Sequence, residues 1–216
     1  MSDAARISTG LRELALLAER VAAHPEGLDA IVAAMRHCLA QGGTLFFAGN
    51  GGSAADAQHL AAEYVVKYHA VQRKALRAIA LTTDTSILTA SANDFGAEHL
   101  FARQLEALAR PGDVLVLHST SGNSPNCLLA ARRARELQVT TVAMLGGDGG
   151  ALLPLVDHAF VIADRRVNHV QELHLAVQRK IGLPNFLAST ARSQLNFSPV
   201  PPSPLGEWAS SRKASV

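Results

Sequence analysis

The chain has 216 residues, 48% of them hydrophobic, with a formal net charge of +2 and two cysteines. That is material for one ordinary domain with a real core, and the near-neutral balance argues against a nucleic-acid partner. No apolar run approaches the length of a membrane span and no signal peptide opens the chain, so a cytoplasmic protein with no membrane partner is expected. Cys38 and Cys127 lack the spacing of a zinc knuckle or a redox pair and read as buried thiols.

Residues from about 5 to 40 have the periodicity of two helices. Leu11, Leu14, Leu17 and Val21 form one apolar stripe, Ile31, Met35 and Leu39 another, and Pro25 and Gly27 separate them. From Thr44 onward, short apolar strands alternate with helical segments. The segments are Thr44 to Ala48, Ala54 to Tyr68, Arg77 to Leu81, Ser86 to Ala92 and His99 to Ala109. Val114 to Leu117, Asn126 to Leu137, Thr140 to Met144 and Ala159 to Ile162 follow, and a last helix begins near Val167. This alternation implies βαβ units, and so an α/β fold with a parallel sheet flanked by helices in three layers. The two leading helices either cover that sheet or offer an apolar face to another copy of the chain. After Ile181, Gly182 and Pro184 stop the helix, and Pro199, Pro201, Pro202 and Pro204 follow. The expected division is N-terminal helices over 1–43, a core domain over 44–181 and a disordered tail over 182–216.

Two loops stand out within this pattern. Gly49-Asn50-Gly51-Gly52-Ser53 joins the first strand to a helix, with Ser53 placed as a cap and Asp56 in the first turn. Glycines admit close approach of backbone N–H groups to an anion, and the helix N-terminus adds partial positive charge. No Gly-Lys-Ser/Thr follows and the G-x-G-x-x-G spacing fails, so no nucleotide cofactor is expected. The second loop, Ser119-Thr120-Ser121-Gly122-Asn123-Ser124, follows the strand ending at His118 and precedes Pro125, which suits a first helical turn. In a parallel sheet, both loops gather at the carboxyl ends of the strands, where ligands bind.

Candidate chemistry lies on the helices beside these loops. His59 and Glu63, four apart, share a helix face; the pair reads either as a solvated ion pair or as metal ligands or an acid and base. Asp94 lies in a turn-like stretch, Ser91 to Gly96. The last helix carries Gln171, Glu172 and His174, with Gln178 on the face of Gln171 and His174.

Taken together, these segments resemble the sugar isomerase (SIS) domain and, within it, the phosphoheptose isomerases. The resemblance runs from about Gly10 to Val177. It rests on the two loops, His59 with Glu63, Leu81 to Ser86 with Asn93-Asp94, and Gln171-Glu172, in that order. It implies an SIS-type, flavodoxin-like fold. It implies that Asn50, Gly51, Gly52, Ser53, Asn93, Asp94 and Gln171 contact a sugar phosphate substrate, and that Ser119, Thr120, Ser121 and Ser124 hold the phosphate. Glu63 would move the proton and contact substrate. In zinc-bearing members, His59, Glu63 and Gln171 would ligate one ion per subunit. It further implies a homotetramer with sites shared between subunits. The expected reaction converts sedoheptulose 7-phosphate to D-glycero-D-manno-heptose 7-phosphate, a lipopolysaccharide precursor. The alternative is a non-catalytic sugar-phosphate-binding or partner-binding protein resembling the initiator-associating SIS proteins.

One position departs from that pattern. Isomerases of the family carry a second His eight residues after the Gln, and this chain has Arg179 there. Three readings stay open: His174 substitutes, Arg179 stabilises an oxyanion without a metal, or the C-terminal part is altered and the protein is a weak catalyst. Lys67, where the family often has Arg, is a milder departure.

Overall fold

The computed structural model describes residues 2–66 and 74–181. The tail expected over 182–216, the departure at Lys67 and the end of the helix expected to reach Tyr68 all lie outside the described residues.

Two helices come first, α1 (Asp3–Ala23) and α2 (Leu28–Ala40). Then β1 (Leu45–Gly49) leads to α3 (Gly52–Val65), β2 (Ala78–Ala80) to α4 (Thr85–Asp94), a 3-10 turn (Ala97–His99) and α5 (Ala102–Leu108). After β3 (Val114–Ser119) come α6 (Pro125–Glu136), β4 (Thr140–Gly146), a second 3-10 segment (Gly150–Leu155), β5 (His158–Ile162) and α7 (Val167–Ile181). Among the described residues the five strands are all parallel, in the order β2-β1-β3-β4-β5. That order reverses direction between β1 and β3, which creates a crevice at their carboxyl ends.

The strands are mostly apolar, with polar residues at their ends, because both faces of the sheet are covered. Leu45, Phe47, Val116, Met144 and Phe160 face a core that includes Leu17, Ile31, Leu60 and Leu173 from α1, α2, α3 and α7. Phe46, Ala48, Leu115, Leu117 and Leu145 face a second core with Phe101, Leu105, Cys127 and Ala130. Three layers result, as the alternation implies. Both cysteines are buried and free, and burial raises Cys38 to about 11 and Cys127 to about 12.

The open question about the leading helices resolves in two ways. α2 covers the sheet with Ile31, Met35 and Cys38 at 2% exposure or less. α1 buries Leu17, while Ile7, Leu11 and Leu16 stay about three-fifths exposed at 61%, 62% and 62%. Leu11 therefore does not belong to the buried stripe.

Candidate active site

The first loop turns more tightly than its sequence implies. Gly51 is the N-cap of α3, at φ 56 and ψ −121, a conformation that glycine adopts readily. The helix thus begins at Gly52, and Ser53 is not the cap: it lies inside the first turn at 6% exposure. At Gly49 an added Cβ would stand 2.8 Å from the Ser53 side chain and 2.9 Å from the His118 carbonyl, so glycine lets the turn sit against β3. Asn50 and Asn126 exchange amide hydrogen bonds of 2.9 and 2.8 Å, which tie the first loop to the opening turn of α6. Nothing local in the sequence marked Asn126, because its partner is 76 residues away.

The second loop is held by its own side chains. Ser119 Oγ accepts from the Gly122 N–H at 3.0 Å and Ser121 Oγ from the Asn123 N–H at 3.2 Å. The Asn123 side-chain Oδ1 accepts from the Ala151 N–H at 3.0 Å, and the Gly122 backbone carbonyl accepts from the Leu152 N–H at 2.9 Å. Gly122, at φ 64, packs so closely that a Cβ there would stand 2.0 Å from the Gly149 carbonyl oxygen. Pro125 occupies the first turn of α6, and the Ser124 hydroxyl does not cap that helix. Since β1 and β3 pair with Gly49 opposite His118, the two loops are neighbours across the switch point. Backbone donors and a helix N-terminus there favour an anion.

Glu63 lies further along α3, with its side chain 14% exposed. His59 Nε2 stands 3.1 Å from Glu63 Oε1, and Arg179 Nε of α7 stands 3.2 Å from the same oxygen. Asp56 shares this face of α3 and is 7% exposed with Oδ2 unpartnered; burial raises its carboxyl to about 6, with His59 opposing. Gln171 sits elsewhere. Its amide lies over Gly52, where an added Cβ would stand 2.1 Å from Nε2. With Gln171 beside Gly52 and Arg179 beside Glu63, α7 runs along α3 in the same sense. Seven residues separate Gly52 from His59, or about 10 Å of helix; eleven separate it from Glu63, or about 16 Å.

A zinc ion at His59, Glu63 and Gln171 does not fit this arrangement within one chain. The amide is at the far end of α3, and a guanidinium shares the carboxylate oxygen. Among the described residues, no group of three His, Cys, Asp or Glu side chains is placed to hold a metal.

His174 does not take the place of the missing second His. It is fully buried, Nε2 lies 3.1 Å from the Leu145 carbonyl oxygen, and its ring faces His118 at 6.4 Å. Burial lowers His174 to about 4; burial and then His174 lower His118 to about 3, with the Ala48 backbone opposing in part. Both imidazoles are neutral core groups. Gln178, two turns after Gln171 on α7, is likewise at 0% exposure.

Asn93 and Asp94 are helical, not in a turn. Asp84 Oδ1 accepts from Ile87 N–H at 3.0 Å and starts α4, which continues through Asp94 before the Gly96 turn. Asn93 donates to Asp94 Oδ1 at 2.7 Å, and among the described hydrogen bonds none links either residue to the two loops. Both sit exposed at the end of α4 away from its capped start.

A glycine turn and a hydroxyl-rich turn flank the β1/β3 switch point of a parallel, doubly covered α/β domain. The SIS domain family model matches residues 11–146, and the chain belongs to that family. A phosphoheptose isomerase from Solidesulfovibrio magneticus is 51% identical over 154 residues, covering 71% of this chain and 74% of its own. One from Paramagnetospirillum magneticum is 46% identical over 172 residues, covering 74% and 89%. The structure of phosphoheptose isomerase from Neisseria gonorrhoeae superposes with a TM-score of 0.78 at 36% identity, over 83% of this chain and 97% of that one. Within the SIS family, the chain groups with the phosphoheptose isomerases.

Proposed function

We propose that the chain is an aldose–ketose isomerase converting sedoheptulose 7-phosphate to D-glycero-D-manno-heptose 7-phosphate, the precursor of the heptose in lipopolysaccharide. The observation that carries the reading is the pair of donor-rich loops at the switch point, on a fold shared with phosphoheptose isomerases and accompanied by a mostly buried carboxylate, Glu63.

The chemistry needs one proton moved between adjacent carbons. Glu63 removes a proton from C1. The C–H electron pair becomes the second bond between C1 and C2, and the C2 carbonyl electrons move to O2. The O1 proton passes to O2, C1=O1 forms, and Glu63 returns its proton to C2. The Ser119 to Ser124 loop and the start of α6 hold the phosphate with hydroxyl and backbone donors. The Gly49 to Ser53 loop, with Gln171 over it, lines the sugar.

Glu63 stands about 16 Å along α3 from Gly52, whereas phosphorus and C1 of an extended seven-carbon phosphate are about 10 Å apart. A second copy that brings its Glu63 to these loops removes the mismatch. The exposed Ile7, Leu11 and Leu16 of α1 support self-association, and a homotetramer is the assembly proposed. Among the described residues, no helix is long and apolar enough to cross a membrane, and we place the enzyme in the cytoplasm.

The test is incubation with sedoheptulose 7-phosphate in deuterium oxide, followed for aldose and for deuterium at C2. Glu63→Gln is expected to abolish both while still binding the sugar phosphate. Mixing that variant with Ser119→Ala/Ser124→Ala subunits is expected to restore part of the turnover. Full turnover in Glu63→Gln would remove Glu63 from the mechanism, and no recovery on mixing would place each site within one chain.

A further inference from the structure

We propose that Arg179 is a catalytic residue, and that its guanidinium supplies the positive charge of the reaction without a metal ion. The inference rests on the isomerase reading above. It starts from Glu63 Oε1, which Arg179 Nε approaches at 3.2 Å and His59 Nε2 at 3.1 Å. The group that takes the carbon-bound proton therefore has a fixed cation beside it. The contact is not an incidental surface pair. The Glu63 side chain is only 14% exposed, and α3 and α7 are packed helices whose alignment sets the distance.

The chemistry calls for a cation at this place. When Glu63 removes the C1 proton, negative charge appears on O2, and later on O1, each within one or two bonds of the carbon being deprotonated. Whatever stabilises that oxyanion must stand beside the base. A guanidinium is planar, permanently charged and rich in N–H donors, and it suits two adjacent oxygens on a planar enediolate. The Arg179 side chain is 45% exposed, so its charge faces accessible space as well as Glu63. A metal ligated at Glu63 would compete with the guanidinium for the same oxygen, and position 179, eight residues after Gln171, supplies that guanidinium in place of a further imidazole donor. The donor set and the cation thus point to the same conclusion. His59, 47% exposed and 3.1 Å from the same Glu63 oxygen, positions Glu63 and is placed to relay a proton to solvent.

The test uses full-length protein treated with a chelator and analysed for bound zinc, then assayed with sedoheptulose 7-phosphate with and without added zinc. Expected are unchanged turnover after chelation and no stoichiometric zinc binding by calorimetry. Arg179→Gln should lose on the order of 10²–10³-fold in kcat with little change in KM, as removal of an oxyanion donor does. Arg179→Lys should lose less, and free guanidinium ion should partly rescue Arg179→Ala. Melting curves of the variants separate misfolding from loss of chemistry, and the guanidinium rescue has no counterpart for a purely structural ion pair. Turnover that appears only with zinc, stoichiometric zinc binding, or wild-type kcat in Arg179→Gln would overturn the inference and leave the isomerase reading standing. Absence of aldose and of carbon-bound deuterium in the wild type, with and without zinc, would overturn both.

Discussion

At the scale of single residues, the site depends on side chains that hold other groups in place. Asn50 and Asn126 satisfy each other's amides across the β1/β3 crevice, and Asn126 is only 7% exposed. Asn126→Ala removes both amide hydrogen bonds to the exposed Asn50, at a net cost of about 0.5–1.5 kcal/mol each. The expected result is a lower unfolding free energy in denaturant titration and weaker sugar-phosphate binding. A variant with unchanged stability and affinity would mean that the two loops do not need this tie. Glu63 shows why residue type alone is a poor guide. A Glu four residues after a His is commonplace on helices, and here the pair acquires a third member, Arg179, from a helix more than a hundred positions later in the chain.

At the scale of elements, the two strand-loop-helix units are unequal. The first loop owes its shape to Gly51 and to Gln171 lying over Gly52. The second owes it to internal hydrogen bonds and to the Gly149-Gly150 turn against which Gly122 is pressed. Gly122→Ala combines a left-handed backbone conformation, worth about 1–2 kcal/mol for a residue with a Cβ, with a clash against the Gly149 carbonyl. A loop that relaxes from this shape must be strained back on binding, and since each 1.4 kcal/mol is a factor of ten, sugar-phosphate affinity should fall by about tenfold. Calorimetric titration of the folded variant checks this, and undiminished affinity would show that the loop does not hold the phosphate. The sequence made both loops legible because glycine and serine turns between an apolar run and a helix are local signals. It misplaced the cap at Ser53 and the turn at Asp94, because helix boundaries depend on how the flanking turn packs.

At the scale of the whole molecule, the core stores a sensitivity to acid. His118 and His174 are buried neutral between the sheet and α7, and neither ring nitrogen of His118 makes a well-formed hydrogen bond. Unfolded imidazoles take up protons near 6.5, whereas these do so only near 3 and 4. Between pH 6.5 and 4 the unfolded state therefore binds more protons, and stability falls as pH falls through that window. Asp56 acts in the opposite sense. Its carboxyl is raised to about 6, so the folded state binds the extra proton between the ordinary carboxylate range and pH 6, and stability gains as pH falls there. His118→Leu isolates the imidazole contribution. It should move the acid-unfolding midpoint to lower pH while changing the melt at pH 7.5 much less. An unmoved midpoint would show that His118 does not carry the acid sensitivity.

The amino-acid sequence by itself determined the class of fold, the three layers, the two small-residue, donor-rich turns and the family resemblance. Each of these is written in local terms, such as alternating apolar runs, small residues at turns and fixed spacings along one helix. Only the tertiary structure decided the rest. It buried His174 under the sheet, laid Gln171 over Gly52 and brought Arg179 to Glu63. The reason is geometric: the rotation and depth of α7 against α3 come from packing both helices on the same sheet face, and no spacing within either helix records that alignment.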